Sequence, residues 1–325
     1  MKYYFKLLIV LFLWSSLQSS AQASQVQKAI TQNIPKLNGE QIRTKNTIIL
    51  TSADQKNNQM NNKSLKLISM QNIKDKQAGL SEPSDLAFSS ISESLWTVSD
   101  HTKVIFNLNL NGDINFQNSF LLDLYDLEGI SIDESAEVLY ATREVSNEII
   151  AINLNRKNII GRYPIKDLIG FEEISHYFSN KHINKGLEGI TINNHTGDIF
   201  VLKEGKPGLL IQLSPDLRRI KEARVLNKKS GFISEKVSTK KLDFSGLSFN
   251  KLDNKFWIVS DKGQCIFVYN WEMDVVENIF PLSYLDGNIT KRVLKAEGIA
   301  LDPIAHRIYV VSEKDAILYT FSMPN

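Results

Sequence analysis

Carboxylates recur at a fixed spacing along this chain. Five times, a first residue and a final acidic residue lie 16 positions apart. The first residues of the five copies are Ser84, Glu128, Glu188, Ser245 and Glu297. The final acids are Asp100, Glu144, Glu204, Asp261 and Glu313. Hard divalent cations prefer such oxygen ligands, and because no His or Cys joins the set, Ca²⁺ is favoured over Zn²⁺. We predict a calcium site with Glu128, Glu188 and Glu297 as ligands, supported by the five final acids.

Other arrangements could also offset the repulsion between converging carboxylates. The glutamates at the first position, which we call the inner glutamates, could accept hydrogen bonds from backbone N–H groups of neighbouring repeats. They would then act as a latch that joins adjacent repeats. The acids could instead pair with basic neighbours, which are Arg143, Lys203, Lys262 and Lys314. A metal-dependent hydrolase of phosphoesters or lactones is an alternative function, with a final acid as general base. A scaffold for protein interactions is a third possible function.

The elements that carry these acids are short strands. A representative copy runs through Glu188-Gly189-Ile190-Thr191-Ile192, a polar turn, and then Ile199 to Glu204. Its β-branched and aromatic residues on either side of a turn predict a β-hairpin. A third strand follows every hairpin, and a weaker fourth strand follows the first four. Four antiparallel strands repeated every 44 to 60 residues are typical of propeller blades. The predicted fold is an all-β, five-bladed propeller.

The fifth copy has no fourth strand of its own. The apolar run from Leu65 to Met70 precedes the first hairpin and fits no other blade. We predict that this N-terminal segment supplies the outer strand of the last blade and closes the ring, which removes an exposed sheet edge.

The hairpins should bring the acids to one rim of the tunnel. Residues 128 and 144 are equally distant from a turn near Ala136, so we expect them to face each other across the strand pair. If each first strand is innermost, all ten residues lie at one mouth. A glycine follows the first residue in four copies and permits close backbone approach near the axis.

The connections before Glu188, Ser245 and Glu297 are long, and the run from Ile165 to Ser179 has the apolar spacing of a short helix. They should lie at the same rim as the acids. Insertions on one face of a repeat protein usually mark its binding face, so this rim offers room for a small-molecule or protein ligand.

The N-terminus has the features of a secretory signal. Lys2 and Lys6 precede the apolar run from Leu7 to Trp14 and the small residues near Ala23, which predicts a signal peptide over residues 1–23. A polar leader should occupy residues 24–63 and the propeller residues 64–325. We expect a periplasmic or secreted protein, tethered to a membrane only if the signal segment stays uncleaved.

The net charge limits the classes of partner, and the cysteine content limits the sources of stability. Cleavage removes Lys2 and Lys6 from 38 basic residues and leaves 36, equal to the 36 acidic ones. A neutral chain argues against a nucleic acid partner. Cys265 is the one cysteine, so no intrachain disulfide forms and stability must come from an apolar core.

The Glu-Gly-Ile hairpins that end in Arg-Glu, Lys-Glu, Ser-Asp or Ser-Glu resemble those of the SdiA-regulated, YjiK/CarP-type family of exported bacterial β-propellers. The resemblance covers about residues 65 to 325. It implies a five-bladed propeller, distantly similar to NHL-repeat proteins, with a calcium site and no established enzymatic activity. Phytase-like and esterase-like propellers share the Glu-Gly motif. Ser84 and Ser245 depart from the pattern because they replace the inner glutamate.

Overall fold

The computed structural model describes residues 65–99, 101–178 and 185–324. These residues form five four-stranded antiparallel sheets and one separate two-stranded hairpin. Within these ranges, no helix is long and apolar enough to cross a membrane. The expected signal peptide, the polar leader through residue 63 and Asp100 lie outside the described residues.

Each of the first four blades uses four strands that are consecutive in the chain. Blade 1 contains β2 (Pro83–Ser89), β3 (Ser94–Ser99), β4 (Val104–Asn109) and β5 (Phe120–Leu121). Blade 2 contains β6 (Leu127–Asp133), β7 (Val138–Arg143), β8 (Glu148–Asn153) and β9 (Asn158–Pro164). Blade 3 contains β10 (Leu187–Ile192), β11 (Ile199–Lys203), β12 (Leu209–Leu213) and β13 (Ile220–Val225). Blade 4 contains β14 (Leu247–Asn250), β15 (Lys255–Ser260), β16 (Cys265–Asn270) and β17 (Val275–Pro281).

Blade 5 joins strands from both ends of the described chain. Its strands are β20 (Ala296–Asp302), β21 (Arg307–Ser312), β22 (Ile317–Ser322) and β1 (Lys66–Asn72). β1 pairs antiparallel with β22, with Lys66 opposite Ser322 and Asn72 opposite Ile317. The predicted closure by the N-terminal segment is confirmed.

The first strand of every blade is innermost. Each of β2, β6, β10, β14 and β20 packs against the first strands of the two adjacent blades, and β20 returns to β2. This closed cycle confirms the five-bladed propeller. Five apolar clusters fill the five interfaces between adjacent blades, and Cys265 is buried in the one between blades 3 and 4.

The first hairpins share one turn geometry. The residue nine positions after each repeat start has a positive φ of 45° to 75°. These residues are Glu93, Glu137, Gly197, Asn254 and His306. The left-handed region favours Gly and Asn and is costly for other residues, so the fold imposes this turn even where the sequence disfavours it.

Three of the connections between blades are long and contain short elements of their own. Between blades 2 and 3 lie two 3-10 turns (Ile165–Asp167 and Ser175–Tyr177) and the helix α1 (Phe171–Ile174). A third 3-10 turn, Thr239–Lys241, lies between blades 3 and 4. The hairpin of β18 (Ser283–Asp286) and β19 (Ile289–Arg292) lies between blades 4 and 5. The helix expected from Ile165 is thus a series of short helical turns, and Ser179 lies outside the described residues.

Gly129 lies where two innermost strands crowd together. A Cβ atom at this position would lie 2.0 Å from the backbone oxygen of Glu188 in the next blade. Such a contact is far shorter than the van der Waals distance. Neither atom could move aside without a shift of the backbone, because the backbone of Gly129 fixes the Cβ and the oxygen belongs to the backbone of Glu188. Glycine is therefore required here by packing between blades.

The substitution Gly129→Ala should lower the free energy of unfolding by about 2–3 kcal/mol, because the backbones of blades 2 and 3 must separate. Urea denaturation measures this change. Gly205→Ala is the matched control, since its Cβ would lie 3.6 Å from the nearest atom, the backbone oxygen of Leu242. Equal destabilisation by the two substitutions would contradict the packing argument.

Candidate functional site

The repeat acids lie at one mouth of the channel because all five innermost strands begin there. Glu188 is close enough to Glu128, Glu144, Glu204 and Glu297 for each of them to act on its ionisation. The negative charges of Glu313 and Asp261 in turn raise the pKa of Glu297. Seven of the eight predicted ligands thus belong to one acidic mouth, formed by blades 2 to 5. The eighth, Asp100, lies outside the described residues.

The expected pairing of Glu128 with Glu144 is wrong. β6 places Leu127 opposite Arg143 and then Ile130 opposite Ala141, so an extra residue interrupts the register between them. The same irregularity occurs at the start of β2, β10 and β20. Bulges of this kind re-aim side chains and are common beside functional sites. The pairing of Asp133 with Val138 also centres the hairpin between residues 135 and 136, so the count from Ala136 was displaced before the bulge shifted the register further.

The bulge in blade 2 is tied to blade 3 by Thr142. The backbone N–H of Gly129 donates to the Thr142 hydroxyl at 2.7 Å. That hydroxyl donates to the backbone oxygen of Glu188 at 2.5 Å. The position of Glu188 is thus fixed from the neighbouring blade.

Three carboxylates form the tightest group at the mouth. Glu144, Glu188 and Glu204 each offer an oxygen that lies within 4.8 Å of the other two. They come from the end of β7, the start of β10 and the end of β11. Glu144 accepts a bond from the backbone N–H of Gly186 at 3.2 Å, which orients its side chain toward blade 3. We call these three residues the glutamate cluster.

Glu188 has the most perturbed ionisation in this cluster. Burial raises its pKa well above the usual value, and the negative charges of Glu128, Glu144, Glu204 and Glu297 add to the shift. Burial also raises the pKa of Glu144, opposed by its bond from Gly186. The structure therefore holds carboxylates in a place where their ionisation is unfavourable unless a cation is near.

Lysines supply part of the missing positive charge. Lys185 lies in contact with Glu204. The ammonium of Lys262 lies 3.7 Å from Glu204 Oε1 and 3.1 Å from Asp243 Oδ2. Of the basic residues predicted to pair with these acids, Lys262 does so, whereas Arg143 pairs with Glu148 at 3.1 Å. Lys203 donates to the backbone oxygen of Gly205 at 2.5 Å, and burial lowers its pKa to about 8.

Glu297 belongs to a second group. The ammonium of Lys295 lies 3.1 Å from Glu297 Oε1 and 3.2 Å from Glu313 Oε2. Burial raises the pKa of Glu297 to about 7, although Lys295 acts in the opposite direction. Burial and the charge of Asp243 raise the pKa of Asp261. Of the three inner glutamates expected to share one role, Glu188 belongs to the glutamate cluster and Glu297 is paired with Lys295, whereas Glu128 lies near Glu188 and is not one of the three cluster residues.

Asp85 is a functional residue that sequence reasoning missed. It is 1% exposed and occupies the position that is glycine in the other four copies. Its Oδ2 accepts from the backbone N–H of Ile130 in blade 2 at 3.1 Å. Its Oδ1 accepts from the N–H of Ile299 in blade 5 at 3.2 Å. The latch considered for the glutamates is made here by blade 1, and the exception to the glycine pattern was the available signal.

The two inner serines do not extend the acidic ring. Ser84 and Ser245 are both buried. The Ser245 hydroxyl donates to the backbone oxygen of Ala296 at 3.1 Å, which joins blade 4 to blade 5. The inner position therefore carries a glutamate in blades 2, 3 and 5 and a serine in blades 1 and 4.

Glu188→Gln should stabilise the protein in chelator-treated buffer at pH 8 and have little effect at pH 4. Because the folded-state pKa of Glu188 is raised, its ionised form opposes folding increasingly as pH rises above the unfolded value. We expect a gain of about 1 kcal/mol or more at pH 8, measured by urea denaturation across this range. Glu172→Gln, on the exposed side of α1, is the control. A gain that does not change with pH would contradict the assignment.

Comparison with known proteins supports the architecture. A family model described as SdiA-regulated matches residues 65–322. Among solved structures, the chain is similar to the glutaminyl cyclase of Myxococcus xanthus, with a TM-score of 0.55 and 12% sequence identity. That match covers 81% of this chain and 98% of the cyclase, and at this identity it indicates a shared fold alone. No curated protein matches the sequence.

Proposed function

The chain belongs to the SdiA-regulated family, and from the geometry of its acidic mouth we propose that it binds a divalent cation, with calcium favoured. We further propose that it acts as an exported binding or calcium-responsive module. The observation that carries the proposal is the glutamate cluster, in which three oxygens from two blades lie within 4.8 Å of one another.

The spacing of these oxygens fits a single ion. Calcium binds oxygen at about 2.3–2.6 Å, so two ligands of one ion lie at most about 5 Å apart. Glu144, Glu188 and Glu204 satisfy that limit. Glu188 would be the central ligand because Thr142 fixes its backbone, while Glu144 and Glu204 would bind from either side.

The charge balance of the mouth also favours a cation. Its described carboxylates include Glu128, Glu144, Glu188, Glu204, Asp243, Asp261, Glu297 and Glu313. Within the described ranges, Lys185, Lys262 and Lys295 form ion pairs with four of them, which are Glu204, Asp243, Glu297 and Glu313. Negative charge therefore exceeds positive charge when these groups are ionised, and a bound divalent ion would reduce the repulsion around Glu188.

The ligand types favour calcium over other metals. Zinc sites use His or Cys, and neither belongs to the cluster. Magnesium requires a near-ideal octahedron with oxygens at about 2.0–2.1 Å, whereas calcium accepts irregular sets of six to eight oxygens. Glu128 and Glu297 would contribute charge near the ion, and Asp261 and Glu313 would lie farther out, in the group held by Lys295.

Calorimetric titration of Ca²⁺ into EDTA-treated protein should give saturable heat. Glu188→Gln should weaken binding more than tenfold, because it removes the central anionic oxygen. Glu144→Gln and Glu204→Gln should weaken it to a similar or smaller extent. Glu222→Gln is the matched control, since Glu222 is exposed and pairs with the partly buried Arg224. The site is rejected if the triple cluster variant and the unmodified protein give the same heat.

Metal-dependent hydrolysis is a second candidate, favoured by Glu297. Its pKa of about 7 suits a group that exchanges protons at neutral pH. A carboxyl in this state could protonate a leaving group, while a bound cation would polarise a phosphoester or lactone.

On this alternative, the protein should turn over a generic phosphomonoester or lactone only when metal is present. Glu297→Gln should abolish that turnover yet leave calcium binding within about threefold. Turnover that survives both EDTA and Glu297→Gln would eliminate the candidate. The absence of turnover with saturable calcium binding would leave the binding module as the function.

A further inference from the structure

The channel contains a separate cavity at the far end from the acidic mouth. It has a volume of about 120 Å³ and is lined by residues from all five blades. These lie within residues 86–90, 130–134, 190–194, 247–251 and 301–304. In each innermost strand, the lining residues follow the first residue of the repeat along the chain and extend to the turn after that strand. Its volume equals the share of about four water molecules.

Asp85 lies between this cavity and the acidic mouth. Along β2 it follows Ser84 at the mouth and precedes Leu86, which lines the cavity. Its carboxylate bonds to the backbone of Ile130 and Ile299 on either side. Asp85 and its two hydrogen bonds thus close the cavity on the side of the acidic mouth. The cavity opens at the opposite end, beside the turns of the first hairpins.

The cavity wall presents hydroxyl groups with unused hydrogen-bonding capacity. Ser131 lines the wall and is 8% exposed. Ser248 also lines the wall. The Thr191 hydroxyl accepts from the N–H of Phe249 at 3.1 Å and keeps its own hydrogen to donate. Hydroxyl groups that face the cavity can bond to water or to a ligand within it.

Charged groups occur only at the opening of this cavity. Glu134 accepts bonds from the hydroxyls of Ser89 and Ser90 at 2.7 and 2.6 Å and from the N–H of Ile91 at 2.9 Å. Asp302 Oδ1 accepts from two backbone N–H groups of its own turn. Lys251 is the one basic side chain in the lining. Two carboxylates against one ammonium disfavour an anion, and both carboxylates already hold donors that a cation would have to displace.

Apolar side chains form a smaller part of the wall. Phe88, Ile132, Ile192 and Phe249 contribute aromatic and aliphatic surface next to the hydroxyls. An ion in the inner part of the cavity would have no side chain of opposite charge beside it, because Glu134, Lys251 and Asp302 lie at the opening. A neutral molecule with one polar group and a short hydrocarbon body would bond to the hydroxyls and fill the apolar side.

We propose that this cavity is a second binding site, for a small uncharged organic molecule of about four to six non-hydrogen atoms that carries a hydroxyl or carbonyl group. The site is independent of the cation at the acidic mouth.

Ligand-detected NMR titration of the full chain in EDTA tests this proposal with four related probes. Isobutanol and isobutyramide are neutral, and isobutyrate and isobutylamine carry opposite charges. We expect the neutral probes to bind with a Kd on the order of 1 mM, which is reasonable for so few atoms. They should bind at least tenfold tighter than either ion, and added Ca²⁺ should not change their affinity.

Two variants locate the binding. Ser131→Ala should weaken isobutyramide about fivefold, because one hydrogen bond is lost without a change of shape. Ser248→Leu should abolish binding by filling the cavity, and Ser135→Ala on the adjacent turn should leave it unchanged. The proposal is overturned if the neutral probes show no saturable binding, if a charged probe binds equally well, or if Ser131→Ala and Ser135→Ala behave alike. A cavity that holds water alone gives the first of these results.

Discussion

The close approach of five innermost strands around one axis is the constraint on which the rest of the structure depends. Gly129 and Gly298 allow it because a Cβ atom at either position would overlap the backbone of the next blade. In blade 1 the same position holds Asp85, whose carboxylate bonds to the strands on both sides. Since all five strands start at the same end, residues far apart in sequence become neighbours there, and the mouth inherits their charges.

The blades and the connections between them both contribute charges to this mouth. The acids of the repeat lie at strand ends, whereas Asp243 lies in the connection between blades 3 and 4. Lys185 and Lys295 come from the long connections that lead into β10 and β20, just ahead of the strands. Lys262 follows β15 directly and reaches both Glu204 and Asp243. The electrostatic balance of the mouth can therefore change through the connections without any alteration of the blades.

The sequence predicts the blades, their number and the closing strand because strand and turn spacing is encoded locally and repeated five times. It does not predict the bulges, since one extra residue in a strand depends on hydrogen bonds to the neighbouring blade, as at Thr142. It also treats Glu188 and Glu297 as equivalent, whereas Lys295 distinguishes them. That lysine lies outside the repeat, so its contact with Glu297 follows from the fold of the connection.

Blade 5 has a consequence for how this protein reaches its native state. β1 precedes every other strand of the described chain and β22 follows them, yet each completes the sheet of the other. Until both strands are in place, blade 5 has an open edge and the ring is incomplete. We expect this blade to form late in folding, because its outer pairing joins residues that are far apart in sequence and closing so long a loop is slow.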